Sequence, residues 1–121
     1  MSMKLVLVTG AGRGIGREIA LRLAADGYAV SGCARSTTEL EETRNLSQGK
    51  IRVSPLDVTH AEDVDAWIKT EADHAARGNG SIWGLVTAAG IQGDIAPFTE
   101  VNWAEWKKTV EVNLYGTAHA C

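Results

Sequence analysis

The chain alternates short apolar runs with longer amphipathic stretches. Lys4 to Thr9 is a run of Leu and β-branched residues that stops at a cluster of glycines, and a helical period follows with Ile15, Ile19 and Leu23 on one face. The pattern predicts strand, turn and helix. Asp26-Gly27 ends that helix, because Gly accepts the left-handed geometry of a helix C-terminus, and Ala29 to Ala34 reads as a second buried strand. Ser36 opens a second helix whose Thr38, Glu39, Glu41, Glu42 and Arg44 surround a thin apolar stripe, and Gly49 leads into a third strand over Ile51 to Val53. Thr59 with Glu62 three residues later predicts a capping box at the start of a third helix running to about Ala76. Ile82 to Ala88 predicts a fourth strand. After Asn102 a fourth helix carries Trp103, Trp106, Val110 and Leu114 at helical spacing, with Glu105 placed to favour its N-terminus.

Four strands alternating with four helices predict an α/β fold, a doubly wound parallel sheet of Rossmann-like type with right-handed crossovers. No internal repeat or low-complexity linker interrupts it, so residues 1–121 read as one domain. The last helix has no stop signal before Cys121, so the chain is expected to be truncated after about four βα units, with its fourth strand as an open edge. Such a chain is expected to be marginal alone.

Composition narrows the classes. A net charge of -3, with 12 Lys plus Arg against 15 Asp plus Glu, provides no basic footprint for nucleic acid or anionic lipid. The longest early apolar run, Leu5 to Val8, is far short of a membrane span or a signal-peptide core, so a cytoplasmic location is expected. Cys33 and Cys121 lack any metal or disulfide spacing and read as reduced structural thiols. His60, His74 and His119 lie on separate segments without metal-ligand spacing and read as solvent-facing; no metal site is expected.

The candidate chemistry is in Thr9-Gly10-Ala11-Gly12-Arg13-Gly14-Ile15-Gly16, between the first strand and the first helix. In that position the first glycine makes a tight turn, a second lets the backbone approach a pyrophosphate, and Gly16 lets helix and strand pack closely. Backbone amides with the positive end of the helix dipole behind them would face the phosphates. The spacing is Gly10-x-x-x-Gly14-x-Gly16, not the more common Gly-x-Gly-x-x-Gly, since position 15 is Ile.

Here the chain resembles the short-chain dehydrogenase/reductase family, whose opening motif Thr-Gly-x-x-x-Gly-x-Gly is matched by Thr9 to Gly16 at every fixed position. Asp57-Val58 resembles the family's adenine-contacting segment, Ala89-Gly90 the end of its Asn-Asn-Ala-Gly motif, and Val112-Asn113-Leu114 the helix segment with its catalytic Asn. The resemblance covers the whole chain. It departs at Thr87-Ala88, where the family has two Asn, which puts the side-chain bracing of the sheet in question. Asp57 also has a plainer reading, local hydrogen bonding in the turn ahead of Thr59. The resemblance implies that Asn113 interrupts its helix and organises a water.

Cofactor choice follows from charge. The second strand ends Gly32-Cys33-Ala34-Arg35-Ser36, with no acid until Glu39, so Arg35 and Arg13 with Ser36 would favour a 2′-phosphate: NADP is expected over NAD. By resemblance the reaction is hydride transfer between NADP(H) and a small-molecule carbonyl or secondary alcohol. The family completes it with a Ser and a Tyr-x-x-x-Lys pair, where Tyr is the acid/base and Lys lowers its pKa. Tyr28 is followed four positions on by Gly32 and Tyr115 by His119, so this chain alone is expected to be inactive. It reads as the cofactor-binding part of a reductase whose full-length parent is a homo-oligomer, the fourth helix lying at the family's dimer interface. The alternatives are a non-catalytic dinucleotide-binding module or regulatory half-domain, or a subunit that dimerises with a full-length relative.

Overall fold

The computed structural model describes residues 2–121. Its elements are β1 (Lys4–Thr9), α1 (Gly14–Ala25), β2 (Ala29–Ala34), α2 (Thr37–Leu46), β3 (Ile51–Pro55), α3 (Ala61–Arg77), β4 (Ser81–Thr87), α4 (Trp103–Val110) and α5 (Gly116–Ala120). A single 3-10 turn (Phe98–Glu100) precedes α4, and a five-residue π-turn (Glu111–Tyr115) joins α4 to α5.

The four strands form one parallel sheet in the order β3-β2-β1-β4. Alternate residues of β1 and β2 point to opposite faces, so each face has its own core. Leu5, Leu7 and Cys33 pack with Val64 and Trp67 of α3, Val112 of the π-turn and Ala120 of α5. Val6, Val8 and Val30 pack on the other side with Ala20 of α1 and Leu40 of α2. This is the doubly wound α/β arrangement that the pattern predicts. The chain builds outward from β1 through β2 to β3, then returns across the sheet to place β4 on the far side of β1. The reversal leaves a crevice outside the C-terminal ends of β1 and β4.

Several elements differ from the sequence expectation. β3 continues two residues past Val53, through Ser54 and Pro55, because an edge strand tolerates a proline that lacks an N–H. On α1 the buried residues are Gly16 and Ala20, while Ile15 is 77% exposed and Ile19 is half-buried. Small side chains let the helix lie close to the sheet, so the large apolar ones are turned aside. Thr59 does not cap α3: its amide and hydroxyl both donate to Asp57 Oδ1, at 2.9 and 2.7 Å, and His60 takes the N-cap position without a side-chain bond. A carboxylate two residues upstream is the stronger local acceptor and draws the hydroxyl away from the helix. Trp103, Trp106 and Leu114 are exposed; the two tryptophans pack edge-on with each other and Trp103 with Phe98, each at 5.5 Å between centroids. Cys121 is exposed, not a packed thiol. Cys33 is buried, and that burial, opposed by a backbone hydrogen bond from Gly10, pushes its thiol up to about 12 and keeps it protonated. His119 is half-buried and its Nδ1 lies 2.8 Å from the Val58 carbonyl, so it does not face solvent.

One buried charge ties the β3 edge to α3. Glu71 is 2% exposed and accepts from Arg52 Nε at 3.0 Å and Nη2 at 3.3 Å, in a two-pronged pair. Replacing Arg52 with Met strands that carboxylate, and because Arg52 is itself half-exposed the expected loss is about 1–3 kcal/mol, below that for a fully buried pair. Urea denaturation should show the loss, and the double variant Arg52→Met/Glu71→Met should recover most of it; an unchanged midpoint in the single variant would show the pair to be inert.

Candidate functional site

The crevice at the strand reversal holds a cavity of about 330 Å³ into which the C-terminal ends of all four strands open. After β1 it is lined by Gly10, Gly12, Arg13, Gly14, Ile15 and Gly16. After β2 come Ala34, Arg35, Ser36 and Glu39; after β3, Leu56, Asp57 and Val58; after β4, Ala88, Ala89, Gly90 and Ile91, with Val112 from the π-turn. Twelve of the residues singled out in the sequence therefore meet at one opening. Thr9 and Asn113 stand behind its wall.

Backbone proximity shapes the glycine loop. Gly10 has φ +68°, and a Cβ there would lie 2.6 Å from the Ala88–Ala89 peptide, so β1 and β4 meet at the cavity floor without room for a side chain. A Cβ on Gly16 would collide with the Gly10 carbonyl, which fixes how closely α1 sits on the end of β1. Gly12 faces Ala34 and Glu39 instead, each Cβ 3.2 Å from where its own would be. Gly14, with φ +58°, has open space on that side. Of the glycines between the first and last of the motif, Gly14 is the one free to face a ligand.

α1 begins without a side-chain cap: Arg13 makes no capping bond, and no acid occupies the first turn. Its first amides and the positive dipole end are directed at the cavity, which is the arrangement that receives an anion. Two side chains hold α2 against this loop. Arg17 donates from Nε to Thr43 Oγ1 at 2.9 Å and from Nη2 to the carbonyls of Gly12 and Glu39, while the fully buried Thr43 hydroxyl donates to the Ala11 carbonyl at 2.8 Å.

At the rim, Arg35 is exposed and has no ion-pair partner among the described residues, whereas Arg13 Nε lies 3.7 Å from Glu39 Oε2. Ser36 caps α2 by accepting from the Glu39 amide at 3.2 Å, and its hydroxyl proton remains available. Asp57 takes up the local role with one oxygen on Thr59 while also lining the cavity. Partial burial pushes its carboxyl up, but the Thr59 amide and hydroxyl, with His60 and Arg35 nearby, outweigh that and hold it below the ordinary 3.8.

Beside the Thr87-Ala88 departure, β1 braces β4 through Thr9. Thr9, fully buried, accepts at Oγ1 from the amides of Ala88 at 3.2 Å and Ala89 at 3.3 Å, so bracing between β1 and β4 runs through Thr9. Asn113 does not aim its amide into the cavity. Its Oδ1 accepts from the Ile91 amide and its Nδ2 donates to the Ile91 carbonyl, both at 2.8 Å, from the centre of the π-turn that interrupts the helix. Among the described residues, no group of three or more His, Cys, Asp or Glu is placed to hold a metal ion and no helix is long and apolar enough to cross a membrane.

Sequence reading missed Ala34, Glu39, Leu56, Ala88, Ile91 and Val112 as lining residues. Leu56 and Ile91 follow strand ends, and the rule that ligands bind outside those ends in open α/β sheets would have found them. Glu39 enters the sequence reading as a polar residue of its helix and as the first acid after the second strand, not as a lining residue.

A parallel sheet reversing at β1, with an uncapped helix N-terminus at the reversal, defines a Rossmann-like α/β protein. The chain belongs to the family described as short chain dehydrogenase, whose sequence profile matches residues 4–121. An oxidoreductase of Staphylococcus aureus with no characterised activity is 36% identical over 117 residues, covering 96% of this chain and 48% of that protein. Rat retinol dehydrogenase 16 is 31% identical over 116 residues, covering 93% of this chain and 35% of that one. Among solved structures, an actinorhodin polyketide ketoreductase variant with NADPH matches with a TM-score of 0.86 at 31% identity, over 99% of this chain and 46% of its own. A 3-ketoacyl-ACP reductase from Sinorhizobium meliloti matches with a TM-score of 0.81 at 35% identity, over 96% of this chain and 45% of its own. The chain thus spans about half the length, or less, of the relatives it matches.

Two expectations follow from these contacts. Thr9→Val leaves the Ala89 amide without its acceptor, while Ala88 keeps the Thr9 carbonyl at 3.3 Å. The expected loss is about 1–2 kcal/mol, measured by thermal or urea unfolding, and no loss would remove Thr9 as the brace. For Asp57 a depressed folded pKa means a stabilising contribution that is full above the ordinary 3.8 and is lost as pH falls through the folded value. The stability difference between the wild type and Asp57→Asn should be flat near neutrality and decline on acidification below pH 3.8; a difference independent of pH would contradict this.

Proposed function

We propose that residues 1–121 are the cofactor-binding domain of an NADP-dependent short-chain oxidoreductase that moves a hydride between NADP(H) and a small carbonyl or secondary alcohol. The observation that carries the reading is the cavity itself: an uncapped helix N-terminus in its lining and, at the end of β2, Arg35 with no ion-pair partner among the described residues, next to the Ser36 hydroxyl. The backbone fits such a ligand, because Gly14 leaves open the space into which a side chain would project. A similar structure solved with NADPH supports the cofactor, and relatives named as a ketoreductase, a ketoacyl reductase and a retinol dehydrogenase support the substrate class.

When bound, the dinucleotide supplies the carbon that gives or takes hydride. This chain's residues bind and orient. The first-turn amides of α1, at Gly14, Ile15 and Gly16, hold the pyrophosphate. Arg35 and Ser36 hold the 2′-phosphate by charge-assisted bonds, with Arg13 at the same rim beside Glu39. Asp57 and Val58 border the adenine. The backbone of Ala89 and Gly90, set by Thr9, borders the nicotinamide-side ribose. Asn113 acts as a positioning residue through its paired bonds to Ile91. The proton step belongs to a Ser and a Tyr-x-x-x-Lys of the full-length parent, and the same reading carries a cytoplasmic, homo-oligomeric parent.

Arg35→Asp tests the cofactor assignment. It should weaken NADPH binding by about 1–3 kcal/mol, as for a lost charge-assisted phosphate contact, without comparable loss for NADH. Fluorescence titration with each cofactor reads both; equal loss for the two would overturn the NADP assignment.

A further inference from the structure

Glu39, the first acid after the end of β2, reaches the cofactor opening despite its distance along the chain. It stands in the first turn of α2 and lines the same opening as Arg13, Arg35 and Ser36. Its backbone is held from both sides, the amide by Ser36 Oγ at 3.2 Å and the carbonyl by Arg17 Nη2 at 3.0 Å. Its Cβ is pressed on Gly12, 3.2 Å from where a side chain on that glycine would begin. The carboxylate is therefore delivered to the rim by anchored backbone, and it rests 3.7 Å from Arg13 Nε.

The opening thus contains two guanidinium groups, one of which already has an anion. Asp57, the other carboxylate lining it, has one oxygen committed to Thr59. Resting on the reading of this opening as a dinucleotide site, we propose that Glu39 is a specificity-determining residue: it withholds Arg13 from the cofactor and so sets the balance between a phosphorylated and an unphosphorylated adenine ribose. A 2′-phosphate would draw both arginines, but it must displace Glu39 from Arg13 and tolerate a carboxylate beside it. A ribose with free hydroxyls makes no such demand. It presents donors that a carboxylate accepts, and the Arg13–Glu39 pair stays in place. The side chains of Arg13 and Glu39 are 78% and 39% exposed, so water and salt screen the effect and it is modest in size.

Glu39→Gln keeps the side-chain volume and every backbone bond described above while removing the charge. NADPH and NADH are each titrated against the protein and against this variant, at low and at high salt. The variant should bind NADPH about three- to ten-fold tighter, with NADH unchanged or weaker, and the gain should shrink at high salt. In an Arg13→Gln background the same substitution should give a smaller gain, because no arginine is left to release. An NADPH-to-NADH preference unchanged by Glu39→Gln overturns the proposal, as does equal tightening of both cofactors or a full-sized gain without Arg13. If the unsubstituted protein binds neither cofactor, the site reading itself falls and takes this proposal with it; binding of both with an unchanged ratio removes only the role of Glu39.

Discussion

At Gly16 a Cβ would overlap the Gly10 carbonyl, and at Gly10 a Cβ would lie 2.6 Å from the peptide joining Ala88 and Ala89. Those close approaches join the end of β1 to α1 on one side and to β4 on the other. A side chain at either position would push α1 away from the sheet or part the two central strands, and in both cases the helix amides would no longer point into the crevice that the strand order creates. The position of the anion-receiving end of α1 is thus a consequence of backbone packing and not of any charged group. Thr9 reinforces the same junction: its hydroxyl oxygen accepts from the Ala88 and Ala89 amides, and its carbonyl shares the Ala88 amide.

The second wall needs polar contacts because α2 meets the loop through carbonyls. Ala11, Gly12 and Glu39 each present a backbone oxygen toward the space between α1 and α2, and an oxygen left there without a donor would cost about 1–3 kcal/mol. Arg17 and Thr43 provide the donors. Because Arg17 bridges carbonyls of both elements and Thr43 bonds the loop from α2, these two side chains fix the distance between the loop and α2, and with it the position of everything that α2 carries to the rim.

How far the residues announce this arrangement depends on what kind of force is at work. β1 and β2 are legible over their full lengths because strands buried on both faces must be apolar throughout. The glycine motif, Arg35, Asp57 and Ala89 are legible because strand ends in a parallel sheet point to one side, so the residues after them must converge. The inner face of α1 was hidden because periodicity gives weight to Ile15 and Ile19, whereas close helix–sheet contact selects Gly16 and Ala20. Thr59 misleads for a related reason: its spacing to Glu62 fits a capping box, but Asp57 competes for the same hydroxyl from nearer in the chain. Arg17 and Thr43 sit on two helices 26 positions apart, and no local pattern reveals that they touch.

The π-turn shows how the last wall is made. Val112, Gly116 and Ala120 form a buried stripe at four-residue spacing, with Gly116 so near Val58 that a Cβ there would meet its methyl at 2.5 Å. Asn113 is the neighbour of that stripe, and its amide group matches the Ile91 amide and carbonyl donor for acceptor. In the wider turn the Gly116 amide reaches back to the Glu111 carbonyl, and the Thr117 hydroxyl donates to the carbonyl of Asn113 at 3.1 Å. The irregular helix and the segment after β4 are therefore a single unit: the same Asn that accompanies the wide turn holds Ile91 at the cavity edge. A straight helix through this segment would have to give up either the buried stripe on Val58 or the paired bonds to Ile91.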